Sequence, residues 1–310
     1  MSDATIHRAV VRAPAKVNLY LRVLGRRPDG YHELDSLMFP VSLFDELTMV
    51  VERARRTSVS CRVSGPERVA GGVSNLAARA ARAVVSELGL QARVSISLRK
   101  EVPFGAGLGG GSSDAAAVLR VLPRMLGRRL PPSRAQALAV ALGADVPFFL
   151  RCRPARARGV GESLTPLADV PLGALTIVVP PVRIDTGWAY RTALDGLTSG
   201  KSVSSVARLP RRLDAVESWF FNDFERGIER AVPAVRSCRQ RLVRLGARAA
   251  VLSGSGSAVV GWFEDVAAAR RAADAFAAPD KAFAATILHG APRPRLEDAR
   301  AADRWAVAKW

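Results

Sequence analysis

The chain has 310 residues, of which 49% are hydrophobic, and its 46 Lys and Arg against 28 Asp and Glu give a formal net charge of +18. This length and apolar content exclude a disordered chain, because they allow one large domain or two ordinary ones with hydrophobic cores. The three cysteines lie far apart, in none of the paired spacings of a zinc site or a redox dithiol, so we expect them to be reduced packing residues.

The N-terminus contains no apolar segment of signal-peptide length, since Asp3, His7 and Arg8 interrupt it. Apolar runs such as 172–181 are too short to span a bilayer, and their charged flanks are typical of buried strands. The sequence therefore predicts a soluble, cytoplasmic protein with no membrane partner.

The high positive charge allows two interpretations. Nucleic-acid-binding proteins concentrate Lys and Arg on one face or arm, whereas arginine here is scattered along the chain from Arg8 to Arg304. Dispersed charge attracts polyanions diffusely without forming a site. We therefore expect no specific nucleic-acid partner, and a nucleic-acid-binding protein stays as the alternative from another functional class.

The first half of the chain contains strand-like and helix-like patterns. Alternation of period two predicts strands at 9–12, 16–24, 47–53, 58–63 and 94–98. An apolar helical face predicts a helix at 75–88, with Ser74 as its N-cap and Gly89 at its end. A further helix is predicted at 134–142.

The second half is predicted to contain, in order, a strand at 174–179, three helices, two strands, a helix and a strand. A glycine loop lies at 252–256, between two of these elements. The pattern restarts near 155–172, which predicts domains at 1–160 and 161–290, followed by a basic C-terminal tail at 291–310.

A glycine-rich segment at 103–117 carries the most specific chemical signal. Gly105, Gly107 and Gly110 match the spacing of the dinucleotide-binding fingerprint, but no acidic residue between 115 and 144 is available to hold a ribose hydroxyl. The segment also lacks the Gly-Lys-Ser/Thr end of a Walker loop. What remains is a loop before a helix N-terminus, where free N–H groups and the helix dipole favour phosphate. A plain turn is the alternative, although it does not require five glycines.

Segment 103–117 resembles the phosphate-binding loop of the GHMP kinases. Other segments resemble motifs of this family in the same order: the N-terminal strand motif at 13–19, a segment that contacts a cytidyl group in one branch of the family at 29–34, the catalytic aspartate motif at 142–147, the segment 222–225 and the C-terminal glycine loop at 253–256. The resemblance therefore covers nearly the whole chain.

The resemblance implies an α+β, two-lobed GHMP kinase fold, with an N-terminal lobe like ribosomal protein S5 domain 2 and a C-terminal ferredoxin-like lobe. It implies ATP and Mg2+ as cofactors, without predicting the metal ligands. The small-molecule acceptor would be a cytidine diphosphate sugar alcohol. A GHMP kinase for another alcohol is the near alternative.

The resemblance also implies roles for individual residues. Asp145 would accept the hydroxyl proton, and Lys16 would keep that carboxylate ionised. The implied ATP and phosphate contacts are Pro103, Gly105, Gly107, Leu108, Gly109, Gly110, Gly111, Ser112 and Ser113. The implied acceptor contacts are Asn18, Tyr31, His32, Thr186 and Tyr190.

Several of these residues also have plainer interpretations. Asp145 fits a turn or a helix terminus, and Tyr31 and His32 fit a surface turn. Ser112 and Ser113 suit a helix cap as well as a phosphate or magnesium contact. Only geometry can choose between these roles.

Overall fold

The computed structural model describes residues 7–67, 69–167, 173–193 and 213–298. The first half forms β1 (His7–Arg26), β2 (His32–Arg53), β3 (Ser58–Ser64), α1 (Leu76–Glu87), β4 (Ala92–Arg99), α2 (Gly110–Met125), α3 (Pro132–Leu142), α4 (Val146–Arg151), β5 (Ala155–Gly159) and β6 (Ser163–Pro166). The second half forms β7 (Ala174–Val179), α5 (Thr186–Ala193), β8 (Phe221–Asn222), α6 (Glu225–Ala231), α7 (Pro233–Arg244), β9 (Ala249–Leu252), β10 (Val259–Phe263), α8 (Val266–Asp274), β11 (Lys281–Ala285) and β12 (Arg295–Asp298). Two 3₁₀ turns occupy Gly72–Ser74 and Leu213–Trp219.

An eight-stranded sheet forms the N-terminal layer, with the order β12-β1-β2-β4-β3 along its main path. Strand β5 pairs with β2, β6 with β5 and the short β8 with β1. Alternate side chains of β4 are buried, as expected for a strand with one face on a core. Helices α1 and α2 cover this buried face.

Helix α1 begins one residue later than the sequence suggests. The side chain of Asn75 accepts a 2.9 Å hydrogen bond from the N–H of Ala77, so Asn75 is the N-cap. The prediction of Ser74 was wrong because Ser74 is taken up by the preceding 3₁₀ turn. Gly89 ends the helix as predicted, with a φ of +62°.

The C-terminal layer is a four-stranded antiparallel sheet with the order β11-β7-β10-β9. All six residues of β7 are buried, because the sheet is covered on both faces. The observed order of elements from β7 to β11 follows the predicted strand, three helices, two strands, helix and strand, with the two-residue β8 added.

Three hydrophobic cores fill the described part of the molecule. The first lies between the eight-stranded sheet and helices α1, α2 and α4, the second between the two sheets, and the third between the four-stranded sheet and the C-terminal helices. Strand β1 contributes Val11 to the first, Val17 to the second and Leu21 to the third. Strand β1 therefore contributes side chains to all three cores.

Two predicted strands, 9–12 and 16–24, form the single strand β1, with an irregularity in its pairing with β2 between Pro14 and Ala15. Within the predicted tail, residues 295–298 form β12 and pair with β1. Residues 299–310 lie outside the described residues, and the domain boundaries stay predictions. Among the residues described, no helix is long and apolar enough to cross a membrane.

Candidate active site

The glycine loop joins β4 to helix α2. Gly105, Gly107 and Gly109 have φ values of +72°, +76° and +69°, in the left-handed region that favours glycine. Gly109 is the N-cap of α2, and the first N–H groups of a helix have no intrahelical acceptor. The loop and the positive end of the helix dipole therefore form one anion-binding surface.

The C-terminal glycine loop packs directly on this first loop. A Cβ on Gly107 would lie 2.8 Å from the carbonyl oxygen of Ser253 and 3.1 Å from that of Gly256. The N–H of Ala258 donates to the carbonyl of Ala106 at 3.2 Å. The backbones of the two loops, one from each half of the chain, are therefore in direct contact.

Asn222 and Glu225 hold the C-terminal loop in place. The side-chain amide of Asn222 donates to the carbonyls of Leu252 and Gly254 at 2.7 and 2.8 Å. The carboxylate of Glu225 accepts a 2.8 Å hydrogen bond from the N–H of Leu252. The segment 222–225 therefore supports the loop from behind.

Lys16 and Asp145 meet beside the two loops. The Nζ of Lys16 lies 3.7 Å from Oδ2 of Asp145 and donates a 2.5 Å hydrogen bond to Oδ1 of Asn18. The lysine side chain is 7% exposed, whereas that of Asp145 is 38% exposed. The carboxylate is therefore open to a ligand, while the ammonium approaches it from inside the protein.

Backbone contacts fix Lys16 and Asn18 against both loops. The N–H of Lys16 donates to the carbonyl of Leu108 at 2.9 Å, in the first loop. The N–H of Asn18 donates to Oγ of Ser253 at 3.0 Å, in the second. The Asn18 amide also donates to Oγ of Ser36 at 2.7 Å. Strand β1 thereby sets the positions of both side chains.

Asp145 occupies the N-cap position of the short helix α4, but its side chain makes no capping hydrogen bond there. A structural aspartate at a helix terminus normally accepts such a bond from the first turn. Its carboxylate instead faces Lys16. This geometry favours the chemical interpretation of Asp145 over the capping one.

A buried charged cluster below α2 was not found from the sequence. Lys100 donates to Asp45 and, at 2.9 Å, to Asp114, and none of the three side chains is more than 3% exposed. Asp45 also accepts hydrogen bonds from the N–H groups of residues 101–102, where the glycine loop begins. A Cβ on Gly110 would lie 3.0 Å from the Lys100 ammonium, so the cluster supports the start of α2.

Two carboxylates in this cluster share one ammonium group. Burial raises the pKa of Asp114 to about 7 despite the attraction of Lys100, and the charge of Asp45 raises it as well. Burial acts to lower the pKa of Lys100, but both carboxylates outweigh it and the pKa is raised. Asp114 is therefore the member that gains or loses a proton near neutral pH.

A cleft of about 690 Å³ lies beside the turn between β1 and β2 and is closed on one side by α5. The rings of His32 and Tyr190 stack in it with centroids 4.5 Å apart and an interplanar angle of 26°. Tyr31 stands at its edge and is 65% exposed. The hydroxyl of Thr186 lies 3.1 Å from that of Ser255, so the cleft adjoins the C-terminal glycine loop.

The cleft also lies close to Lys16 and Asp145. Burial raises the pKa of Tyr190 to about 12, and the negative charge of Asp145 acts in the same direction. Burial and the positive charge of Arg26 lower the pKa of His32. At neutral pH the imidazole is therefore neutral and offers one donor and one acceptor.

The other predicted phosphate-binding residues differ in exposure. Gly105 and Gly111 are exposed and Ser112 is partly exposed, whereas Ser113 is buried and its hydroxyl has no hydrogen-bond partner among the described residues. Pro103 and Leu108 are buried, and Gly107, Gly109 and Gly110 are partly exposed. Ser112 is the hydroxyl that a ligand can reach without movement of the helix, and all of these phosphate-binding roles stay predictions.

Comparison with known families identifies the class of protein to which this chain belongs. The model of the GHMP kinases N terminal domain matches residues 75–153, and the GHMP kinases C terminal model matches residues 206–282. A crystal structure of homoserine kinase from Cytophaga hutchinsonii is 19% identical and has a TM-score of 0.66, with 96% of this chain and 98% of that chain covered. The fold and the paired glycine loops are those of a GHMP kinase, which uses ATP on a small molecule.

Proteins with higher sequence identity to this chain identify its family within that class. A 4-diphosphocytidyl-2-C-methyl-D-erythritol kinase of Geobacter sp. (strain M21) is 42% identical over 261 residues, which cover 84% of this chain and 91% of the relative. A crystal structure titled 4-(cytidine 5'-diphospho)-2C-methyl-D-erythritol kinase is 41% identical with a TM-score of 0.76 and covers 91% of this chain and 100% of that chain. The chain belongs to the 4-diphosphocytidyl-2-C-methyl-D-erythritol kinase family.

Proposed function

We propose that this enzyme transfers the γ-phosphate of ATP to the 2-hydroxyl of 4-diphosphocytidyl-2-C-methyl-D-erythritol, a step of the non-mevalonate route to isoprenoid precursors. The observation that carries the proposal is the position of the Lys16 and Asp145 pair. It lies between the phosphate-type glycine loop and the cleft that contains His32 and Tyr190.

The catalytic pair supplies the proton chemistry. Asp145 accepts the proton of the attacking hydroxyl as the new O–P bond forms and the bond to the β-phosphate oxygen of ATP breaks, releasing ADP. Lys16, at 3.7 Å, places its positive charge beside this carboxylate and the attacking hydroxyl. Its hydrogen bond to Asn18 fixes the ammonium in that position.

The glycine loop supplies the phosphate site. Backbone N–H groups at the start of α2 and the helix dipole stabilise the negative charge of the ATP phosphates. In this role the proposed contacts are those predicted at 103–113, with Ser112 as the accessible hydroxyl.

Mg2+ would neutralise phosphate charge in this reaction. Magnesium in kinase sites takes most of its ligands from phosphate oxygens and water, and needs only one or two protein ligands. The donors here fit that pattern, because Asp145 and Ser112 are accessible oxygen donors. Within the described part of the chain, no three His, Cys, Asp or Glu side chains form a metal site of their own.

The aromatic cleft supplies the acceptor site. Tyr31, His32 and Tyr190 offer stacking faces for a cytosine ring, and the neutral His32 offers a hydrogen-bonding edge. Thr186 lines this cleft and Asn18 contacts Lys16, and both provide polar groups for the rest of the acceptor.

Two finer assignments belong to the same proposal. Counted within its own sheet, the order β11-β7-β10-β9 is 4-1-3-2, which supports a ferredoxin-like C-terminal lobe. The N-terminal lobe is assigned to the type of ribosomal protein S5 domain 2 by the family resemblance alone. We also place the enzyme in the cytoplasm, with the domain boundaries at 160 and 290.

ADP release measures the proposed activity directly. Purified protein is incubated with ATP, Mg2+ and either the cytidyl substrate, mevalonate or homoserine. Release only with the cytidyl substrate is expected. Release with mevalonate alone would overturn the acceptor assignment, and no release with any alcohol would favour the nucleic-acid-binding alternative.

A further inference from the structure

A second cleft, of about 1030 Å³, lies on the far side of the N-terminal helical layer. It is lined by parts of α2, α3 and α4, by the loop between α2 and α3, and by residues 291–294 before β12. None of its lining residues is acidic, and six are arginines: Arg120, Arg124, Arg128, Arg129, Arg151 and Arg293. Arginines that are scattered in the sequence are thus collected by the fold into one concave surface.

The described residues supply no acidic partner for these arginines. Within the described residues, no salt bridge involves any of the six, although neighbouring Arg134 pairs with Glu87 at 3.1 Å. Two of them, Arg124 and Arg151, lie in the last turns of α2 and α4, where the helix dipole favours a cation. The dipole does not account for the other four.

Arg120 provides the second observation. Its Nε is buried and has no hydrogen-bond partner among the described residues. Burial lowers the pKa of Arg120; the neighbouring Cys152 acts in the opposite direction, and the charge of Arg124 lowers the pKa as well. A guanidinium in a protein normally finds an anion when it is taken out of water, because an unpaired buried charge is costly. An anionic group in this cleft would therefore stabilise the Arg120 guanidinium.

The rest of the lining indicates what carries the anion. Aliphatic and proline side chains, including Leu119, Leu130 and Leu150, face the same space. A single inorganic phosphate would leave most of the volume unfilled. The planar forks of arginine match phosphate oxygens in a bidentate manner.

We propose that this cleft is a second ligand site, which binds a phosphate or diphosphate group attached to an apolar body. Helix α2 connects it to the active site, since Gly110 is the first residue of that helix and Arg120 lies about 15 Å further along its axis at 1.5 Å per residue. The inference does not rest on the proposed acceptor.

Isothermal titration with octyl phosphate tests the site, while a non-hydrolysable ATP analogue saturates the glycine loop. Octyl phosphate should bind at least about tenfold more tightly than inorganic phosphate, because methylene groups are buried as well as charge. The double variant Arg128→Gln, Arg129→Gln should weaken its binding by about tenfold or more while ATP affinity stays unchanged. These two residues are exposed, so folding is not at risk. Arg120→Gln, at a partly buried member of the cluster, should also weaken binding of octyl phosphate.

The control variant is Arg270→Gln, an exposed arginine on α8 that does not line the cleft. Equal loss in this control, or no loss in the cleft variants, would overturn the proposal. Vesicles containing phosphatidic acid, compared with phosphatidylcholine vesicles, distinguish a lipid source from a soluble one. Binding of a short RNA that is lost in the same variants, without binding of octyl phosphate, would replace the proposed ligand class.

Discussion

The imidazole of His32 lies against the ring of Tyr190, with centroids 4.5 Å apart, in the cleft assigned to the acceptor. We expect His32→Ala or Tyr31→Ala to raise the dissociation constant for the cytidyl substrate by about ten- to a hundredfold, because stacking a base is worth about 1–3 kcal/mol. ATP affinity should be nearly unchanged. Titration of both nucleotides into each variant measures this asymmetry.

The matched control for this experiment is His289→Ala, since His289 does not line the cleft. Melting curves for every variant separate lost contact from lost structure. If both nucleotides bound more weakly to the same extent and Tm fell, Tyr31 and His32 would be structural residues of a turn rather than substrate contacts.

The carboxylate of Asp145 should be needed for turnover rather than for ATP binding. Asp145→Asn is expected to lower kcat by about 10²–10⁴-fold, the usual contribution of a positioned general base. Lys16→Ala should have a similar effect, and the double variant should lose much less than the product of the two. Steady-state kinetics measure these losses in kcat. The control is Asp274→Asn, a substitution at an exposed position on α8. Multiplicative losses would mean that the two residues act separately.

Gly109 should not tolerate a side chain. A Cβ there would lie 3.0 Å from the Phe149 ring and 3.1 Å from Cγ of Lys16, at a φ of +69°. Gly109→Ala is expected to weaken ATP binding by at least about tenfold through displacement of the loop, and to lower turnover through Lys16. The clash is with the protein itself, in addition to any clash with a bound phosphate.

Gly127→Ala separates backbone strain from this local effect. Gly127 has a φ of +65° but nothing within 4 Å of a Cβ. The Gly127→Ala substitution should lower the free energy of unfolding by about 1 kcal/mol and leave ATP affinity unchanged. Equal losses of ATP binding in the two variants would remove Gly109 from the phosphate site.

Asp114 should make stability depend on pH. Its pKa is raised to about 7 in the folded protein from an ordinary value of 3.8. The folded state therefore binds an extra proton between these values, and this contribution to stability falls as pH rises from about 4 to about 7, then stays constant. The slope is at most about 1.4 kcal/mol per pH unit.

Asp114→Asn should lack this slope, because an amide does not titrate. Urea unfolding of both proteins from pH 4 to 8 measures the difference between their pH slopes. A constant difference across that range would contradict a raised pKa at Asp114.

Local sequence patterns predicted the features that depend on local physics. The glycine loop, the end of α1 at Gly89 and the strand at 174–179 follow from backbone freedom and hydrophobic periodicity. The closeness of Lys16 and Asp145, in contrast, was expected only through family resemblance. Nothing in the 128 residues that separate them indicates that they meet.

Features built from distant residues had no local signal. Asp45 and Lys100 are 55 residues apart, and neither position is unusual by itself. The continuity of β1 through Pro14 depends on the long partner strand β2, which an alternating pattern in β1 cannot show. The basic cleft likewise depends on helices and a late segment that come together only in the fold.

Strand β1 also has a consequence for synthesis. Residues 7–10 of β1 pair with β12 at 295–298, which is translated long after them. The edge of β1 at residues 7–10 therefore stays without its partner strand until β12 has been made, and unpaired edges invite aggregation. Protease protection of residues 7–10 in ribosome-stalled chains should rise sharply once β12 emerges from the exit tunnel, so this part of β1 needs shielding while the segment between the two strands is translated.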